Sequence, residues 1–164
     1  LVVNGLSKAY GLPGLRIGWI VGPEDVIKRT WPYHDYTTIS PSALSDRLAT
    51  IALSPGKRER ILGRTKSILN ANFPALENWL KGHGGLFRFL PPRAGAIVFV
   101  RYAMEVPSVE LVERLIRDES VLVVPGDHFE MEGHLRFGYG SGGDYLLEAL
   151  ARIDRTLKKI GQTW

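Results

Sequence analysis

Two isolated cations stand in a glycine-rich, apolar stretch of the sequence, NGLSKAYGLPGLRIGWIVGP, residues 4–23. Lys8 and Arg16 are each surrounded mostly by small or apolar residues. Partial desolvation of a lysine favours its uncharged amine, which is a nucleophile toward a carbonyl carbon. An arginine presents N–H donors in a rigid fork that suits a phosphate dianion. A carbonyl-reactive lysine with a phosphate-binding arginine describes a site for pyridoxal 5′-phosphate.

The alternative is that Lys8 is an exposed loop cation and that Arg16 is a surface residue of a strand. Gly11, Gly14 and Gly18 would let the backbone turn sharply and approach a ligand closely, but the residue types alone leave both interpretations open. It is the order of residues around the lysine that favours a binding site.

This order resembles the lysine signature of the class I and II aminotransferases, which are fold-type I pyridoxal phosphate enzymes. The signature runs serine, any residue, serine, lysine, then a glycine-rich turn and an arginine followed by glycine. Ser7, Lys8 and Arg16 match it, whereas the first serine is Gly5 here. The resemblance implies that Lys8 is the Schiff-base lysine and moves the proton between the substrate α-carbon and the cofactor. It also implies that Arg16 binds the phosphate and that Ser7 supplies a hydroxyl.

A second match lies far downstream, where VLVVPGDHF is followed by GHLRFGYG. It resembles the segment of the same family that carries the arginine for the substrate α-carboxylate, and Arg136 takes that position. A bidentate guanidinium is a suitable partner for a planar carboxylate.

The resemblance covers essentially the whole chain. It implies an α/β fold of the aspartate aminotransferase type, present in part: residues 1–53 end the large domain, 54–82 form a connecting helix, and 83–164 form a small α+β domain. The implied reaction is amino transfer from an amino acid to a 2-oxo acid, in a homodimer. The groups that the family places earlier are absent, so we expect this segment alone to be inactive. Two alternatives stay open: another pyridoxal phosphate reaction (lyase, decarboxylase or synthase) and a non-catalytic dimerisation module.

The elements that must position these residues follow from the sequence pattern. Residues 1–4 and 15–22 are apolar on both faces, which predicts strands of a sheet covered on both sides. Helices are expected over 23–30, over 41–53 after a Ser40 cap, and over 55–80, with an irregular segment at 31–42 that contains His34, Asp35 and Tyr36. KRER at 57–60 indicates a solvated helix start. The second half predicts the order β-β-α-β-β-α.

Bulk composition narrows the function further. The net charge of +4 is spread along the 164 residues, so no nucleic-acid surface is expected. The chain has no cysteine, which excludes disulfides and thiolate metal sites and fits a reducing cytoplasm. No apolar run reaches membrane-spanning length.

The four histidines lack helical pairing, so no metal site is expected. GYGSGG at 138–143 formally fits a dinucleotide motif, but no strand follows its helix, so a turn is expected instead. Because the chain opens at Leu1 on an apparent core strand, we expect it to be the C-terminal part of a longer polypeptide.

Overall fold

The computed structural model describes residues 1–161 and divides into two compact units. The first unit is Leu1–Lys66 and the second begins at Ser67. The boundary falls inside one long helix, so each unit has its own core on its own part of that helix. The division into a large-domain part, a connecting helix and a small domain stays a prediction.

The first unit opens with two short antiparallel strands. Strands β1 (Val2–Gly5) and β2 (Gly18–Val21) pair from Val2 with Val21 to Gly5 with Gly18, and a 3-10 helix, Pro13–Leu15, lies between them. The prediction of two strands is confirmed, although the second starts at Gly18 because the 3-10 helix takes the residues around Leu15. The prediction that both faces are buried is wrong for this chain: Val3 is 75% exposed. The apolar core of this unit is formed mainly by the loop between the strands, and β2 contributes Trp19.

Helix α1 spans Glu24–Thr37 and is longer than expected. The irregular segment predicted from residue 31 is wrong, because the helix continues through Pro32. Ion pairs one turn apart, Glu24 with Lys28 and Asp25 with Arg29, support its first turns. The proline removes one backbone donor but does not end the helix here.

Helices α2 (Ala43–Leu53) and α3 (Pro55–Lys81) follow. The prediction that α2 starts at Pro41 is wrong by two residues; Ser42 instead precedes the helix, without a side-chain capping bond. The predicted start of α3 at Pro55 is confirmed, and its end lies one residue past the predicted Leu80. Apolar side chains of α2 and of the start of α3 pack against the loop between β1 and β2, forming the first core: Leu6, Tyr10, Leu12, Leu15, Ile17, Trp19, Ala49, Leu53, Ile61 and Leu62.

The second unit has the predicted order β-β-α-β-β-α. Its elements are β3 (Phe87–Phe89), β4 (Ile97–Tyr102), α4 (Ser108–Glu119), β5 (Val124–Pro125), β6 (His134–Gly138) and α5 (Gly143–Gly161). The strands form one antiparallel sheet in the order β3-β4-β6-β5. The sheet packs one face into a core with the helices, including Leu76, Leu80, Val98, Val100, Leu111, Leu115, Leu135, Phe137, Leu150 and Ile153.

Two carboxylates hold the ends of α4. At its start, Glu132 accepts hydrogen bonds from the backbone N–H groups of Gly133 and Ser108, each over 2.7 Å, and these lower the pKa of Glu132. At its end, a hydrogen bond from Arg155 lowers the pKa of the buried Glu119, and Lys159 adds a further favourable charge. The helix is therefore tied to the segment before β6 and to α5.

Candidate active site

The loop that joins β1 to β2 is closed by backbone hydrogen bonds. The Leu6 N–H donates to the Ile17 carbonyl oxygen over 3.0 Å, and the Leu12 N–H donates to the Leu6 carbonyl oxygen over 3.0 Å. Lys8 and Arg16 both lie within this closed loop. The structure therefore brings the two cations of the sequence motif into one small, internally bonded segment.

Lys8 lies in a tight turn between two buried anchors. Leu6 has no exposed surface and Tyr10 is 7% exposed, whereas Lys8, between them, is exposed. The Gly11 N–H donates to the Lys8 carbonyl oxygen over 2.9 Å, and Gly11 has a φ of 63°, which favours glycine. The prediction that Lys8 is partly desolvated is wrong for this chain. The buried residues of the turn are Leu6 and Tyr10, whereas Lys8 itself is exposed. Its amine has no hydrogen-bond or ion-pair partner among residues 1–161.

Two arginines of α3 donate hydrogen bonds to Tyr10, two residues after Lys8. The Arg58 Nε donates to the Tyr10 hydroxyl over 3.3 Å, and an Arg64 Nη donates to the Tyr10 carbonyl oxygen over 3.2 Å. The sequence interpretation missed both and treated Arg58 as part of a solvated helix start. A usable signal was Tyr10 itself, because a tyrosine in an apolar cluster needs a partner for its polar end.

Arg16 has a left-handed backbone, with φ 53° and ψ 39°. For a residue with a Cβ this conformation costs roughly 1–2 kcal/mol, so the loop closure must offset it. The Arg16 backbone N–H and side-chain Nη1 both donate to the Pro13 carbonyl oxygen, each over 3.3 Å. A guanidinium has five donors, so most of its N–H groups stay available for an anion.

The serine that the signature would place at residue 5 has no room here. A Cβ on Gly5 would lie 2.9 Å from the Ile17 carbonyl oxygen and 3.2 Å from the Gly18 Cα. On the opposite strand, a Cβ on Gly18 would lie 3.0 Å from the Asn4 carbonyl oxygen. The close approach of β1 and β2 therefore accounts for the glycine at position 5. Ser7 is partly exposed, and its hydroxyl has no partner in the described part of the chain.

Arg136 belongs to the second unit, on β6. It pairs with Phe99 of β4 and Val124 of β5, so two strands flank it. Its neighbours along the strand, Leu135 and Phe137, are buried in the core. Because side chains alternate along a strand, Arg136 projects from the face of the sheet that is opposite the core. It has no hydrogen-bond or ion-pair partner within residues 1–161.

The face of the sheet that carries Arg136 is basic and aromatic. Arg88, Arg101 and His134 lie across from one another in the register of β3, β4 and β6. Phe99 stacks on the His134 ring at a centroid distance of 5.2 Å and meets the Phe129 ring edge to face at 5.7 Å. A face with several unpaired cations can bind an anion such as a carboxylate.

The other sequence candidates have structural positions of a different kind. His34, Asp35 and Tyr36, expected in an irregular segment, lie near the end of α1. Of the glycines of GYGSGG, Gly140 and Gly142 lie in the expected turn, while Gly138 ends β6 and Gly143 starts α5. In residues 1–161 there is no group of three or more potential metal ligands and no helix long and apolar enough to cross a membrane.

Comparisons with known proteins agree on one family. The family model described as aminotransferase class I and II matches residues 1–153. Capreomycidine synthase of Streptomyces vinaceus is 34% identical over 152 residues, which are 93% of this chain and 39% of that protein. Aspartate aminotransferase of Streptomyces avermitilis is 29% identical over 171 residues, which are 97% of this chain and 41% of that protein.

A solved structure supports the same fold. A pyridoxal-phosphate-dependent aminotransferase from Streptococcus suis superimposes with a TM-score of 0.91 at 32% identity, over 96% of this chain and 41% of that one. The chain thus spans about two fifths of the length of the relatives it matches. The fold is that of the aspartate aminotransferase type, in part.

Proposed function

Because the chain belongs to the class I and II aminotransferases, we propose that it is the C-terminal part of a pyridoxal-phosphate-dependent aminotransferase that moves an amino group from an amino acid to a 2-oxo acid. The observation that carries this proposal is that Lys8 and Arg16 lie in one loop, residues 6–17, which backbone hydrogen bonds close. In this proposal residues 1–53 end the large domain, 54–82 connect, and 83–164 form the small domain.

The residues of the loop fit the cofactor. The Lys8 amine has no competing partner in the described part of the chain, so no residue there blocks its reaction with an aldehyde. We assign the phosphate to Arg16, whose guanidinium keeps free donors, with the Ser7 hydroxyl as a second donor. Bound pyridoxal phosphate would supply an electron sink for the substrate α-carbon. The Lys8 Nζ would carry a proton between that carbon and the cofactor.

Arg136 is assigned to the substrate α-carboxylate. Its guanidinium is unpaired within residues 1–161, and the face around it is basic, so a carboxylate would gain charge-assisted hydrogen bonds there. The Phe99 and Phe129 rings add apolar surface beside it. An amino acid, whose α-carboxylate is a planar anion, has the matching chemistry.

The working enzyme is proposed to be a longer polypeptide and a homodimer in the cytoplasm. The chain covers 39–41% of its relatives, and large apolar side chains of the first unit stay exposed: Val3 at 75%, Tyr33 at 76% and Ile39 at 72%. Such residues are typical of surfaces that another part of a protein covers. The absence of cysteine is compatible with a reducing compartment. Light scattering on the full-length protein tests the dimer; a monomer at all concentrations would contradict it.

Amino transfer can be tested on the full-length protein with added pyridoxal phosphate. Amino donors are screened in the presence of a 2-oxo acid, and the new amino acid is identified by mass. Lys8→Ala should abolish transfer, and Arg136→Ala should raise the KM for the amino acid. Arg117→Ala, at an exposed position of α4, is the matched control and should stay near wild type. Transfer that survives Lys8→Ala would contradict the proposal.

A second candidate is a synthase reaction with the same cofactor. The 34% identity to a protein named capreomycidine synthase favours it. The two reactions differ in what happens to the acceptor: amino transfer consumes a 2-oxo acid, whereas a synthase reaction leaves it unchanged. Conversion of an amino acid without consumption of any 2-oxo acid would therefore select the synthase.

A further inference from the structure

We propose that Arg58 and Arg64 are positioning residues that fix the Lys8 turn and so present the Lys8 amine to an incoming carbonyl. This inference rests on the proposed function, because it concerns the lysine assigned to the cofactor. It adds two residues that the sequence motif does not contain and that lie about fifty residues further along the chain.

The Lys8 turn has few internal restraints. Its backbone is closed by the hydrogen bond from the Gly11 N–H to the Lys8 carbonyl oxygen. Within residues 1–161, the side chains that hydrogen-bond to residues 7–11 are those of Arg58 and Arg64. Both bonds end on Tyr10, two residues after Lys8, so the turn is fixed from one side by α3.

Arg64 holds the backbone, and glycine makes room for it. Its Nη2 lies 3.2 Å from the Tyr10 carbonyl oxygen, and a Cβ on Gly11 would lie 2.9 Å from the same Nη2. A side chain at residue 11 would therefore displace the guanidinium or the turn. Gly11 thus meets two requirements of the turn, a positive φ and room for the Arg64 guanidinium.

Arg58 holds the side chain of the same anchor. Its Nε donates to the Tyr10 hydroxyl over 3.3 Å, while the Tyr10 ring packs in the first core beside Leu6 and Ala49. Tyr10 is consequently held at its carbonyl, its ring and its hydroxyl. Neither arginine has an ion-pair partner in the described residues, and the side-chain hydrogen bond of each ends on Tyr10.

Reaction at Lys8 should be sensitive to this restraint. The uncharged Nζ adds to the aldehyde carbon, and loss of one water leaves a carbon–nitrogen double bond. Borohydride then adds hydride to that carbon, and water supplies the proton to nitrogen. Displacement of a reacting atom by about 1 Å can slow a reaction about 10²-fold. A loosened turn should therefore slow adduct formation without unfolding the first core.

The test compares four variants of the full-length protein: Arg64→Met, Arg64→Lys, Arg58→Met and Arg60→Met as the matched control. Arg60 lies on the same helix, is exposed, and has no side-chain bond within residues 1–161. The rate of adduct formation with pyridoxal phosphate is followed by absorbance, and the product at Lys8 is measured by peptide mass after borohydride. We expect Arg64→Met to be at least about 10-fold slower, Arg64→Lys to recover part of the rate, and Arg60→Met to match wild type.

Amide hydrogen exchange supplies a readout that needs no cofactor. Arg64→Met should speed exchange of the Gly11 amide and leave the β1–β2 amides unchanged. An unchanged adduct rate with unchanged Gly11 exchange would overturn the positioning role. A wild-type protein that forms no adduct at Lys8 would overturn the proposed function instead, and the exchange data would still decide whether Arg64 fixes the turn.

Discussion

Asn72 donates two hydrogen bonds from its side-chain amide, and the first goes to the Tyr139 carbonyl oxygen over 2.8 Å. The second goes to the Ser141 carbonyl oxygen over 2.7 Å. Asn72 is 4% exposed on α3, and its acceptors lie in the turn that follows β6. The strand that carries Arg136 is thus tied to α3 just beyond its end.

Replacement of Asn72 should therefore destabilise the second unit. Asn72→Ala removes both donors and leaves two carbonyl oxygens with little access to water, which should cost about 2–3 kcal/mol in the free energy of unfolding. Urea unfolding followed by circular dichroism measures the loss. Asn70→Ala, at an exposed position of the same helix, should change stability by less than about 0.5 kcal/mol. Equal effects of the two substitutions would contradict the role of these bonds.

Glycine is required at residue 11 but not at residue 14. Gly11→Ala places a methyl group where φ is 63° and where Arg64 Nη2 would be 2.9 Å away, so we expect a loss of about 1–2 kcal/mol. A Cβ added at Gly14 would meet nothing within 4 Å, and Gly14 has no positive φ, so Gly14→Ala should be neutral or slightly stabilising. Thermal unfolding of both variants checks the contrast, and a more harmful Gly14→Ala would refute it.

The start of α4 should respond to acid through Glu132. Hydrogen bonds from the Gly133 and Ser108 N–H groups lower the pKa of this carboxylate from its ordinary value of 4.5. Because the pKa of Glu132 is lower in the folded than in the unfolded state, its ionised carboxylate stabilises the fold above pH 4.5. This contribution is lost as the pH falls through the folded-state pKa. Glu132→Gln should therefore be less stable than wild type at about pH 7, with a difference that narrows below pH 4.5.

The control for that experiment is Glu105→Gln. Glu105 is exposed and has no hydrogen-bond or ion-pair partner within residues 1–161, so its replacement should leave the pH dependence unchanged. Burial and the Glu132 charge raise the pKa of the Tyr102 hydroxyl, which stays protonated and donates to the Val106 carbonyl oxygen over 2.6 Å. A difference between wild type and Glu132→Gln that stays constant from about pH 7 to about pH 3 would contradict this role of Glu132.

One buried hydroxyl offers a stabilising substitution. Thr156 is 2% exposed on α5, and its hydroxyl has no hydrogen-bond partner among the described residues. Thr156→Val keeps the shape and removes an unpaired polar group, so it should stabilise the fold by about 1 kcal/mol. Thr156→Ser keeps the hydroxyl and loses a methyl group, so it should destabilise. Calorimetry gives both values; the reverse order would show that the hydroxyl is satisfied.

The second unit could be predicted well from sequence because its signals are local and periodic. Apolar residues at helical spacing predict α5, and alternation around Arg136 predicts β6 with its core on one face. The long α3 also follows from its Ser54–Pro55 start and its repeated apolar positions. In each of these elements, the apolar residues whose spacing favours the secondary structure are also the residues that the core buries. Local and tertiary preferences therefore agree.

The first unit is harder to predict because its determinants are not local. Pro32 suggests an end to α1, but the helix continues through it to Thr37. The apolar sequence of the two strands suggests burial of both faces, whereas this chain buries mainly the loop between them. The bonds of Arg58 and Arg64 to Tyr10 join residues about fifty positions apart. Arginines near the start of a helix have the same sequence pattern whether they make such bonds or face solvent.

The most direct test of the central claim locates the cofactor on the chain. The full-length protein is mixed with pyridoxal phosphate, reduced with borohydride, digested and sequenced by mass spectrometry, with Lys8→Ala as the control. We expect the peptide with Lys8 to carry the label and Lys8→Ala to carry none at any lysine. A label on another lysine in wild type, or no label at all, would contradict the assignment of Lys8 to the cofactor.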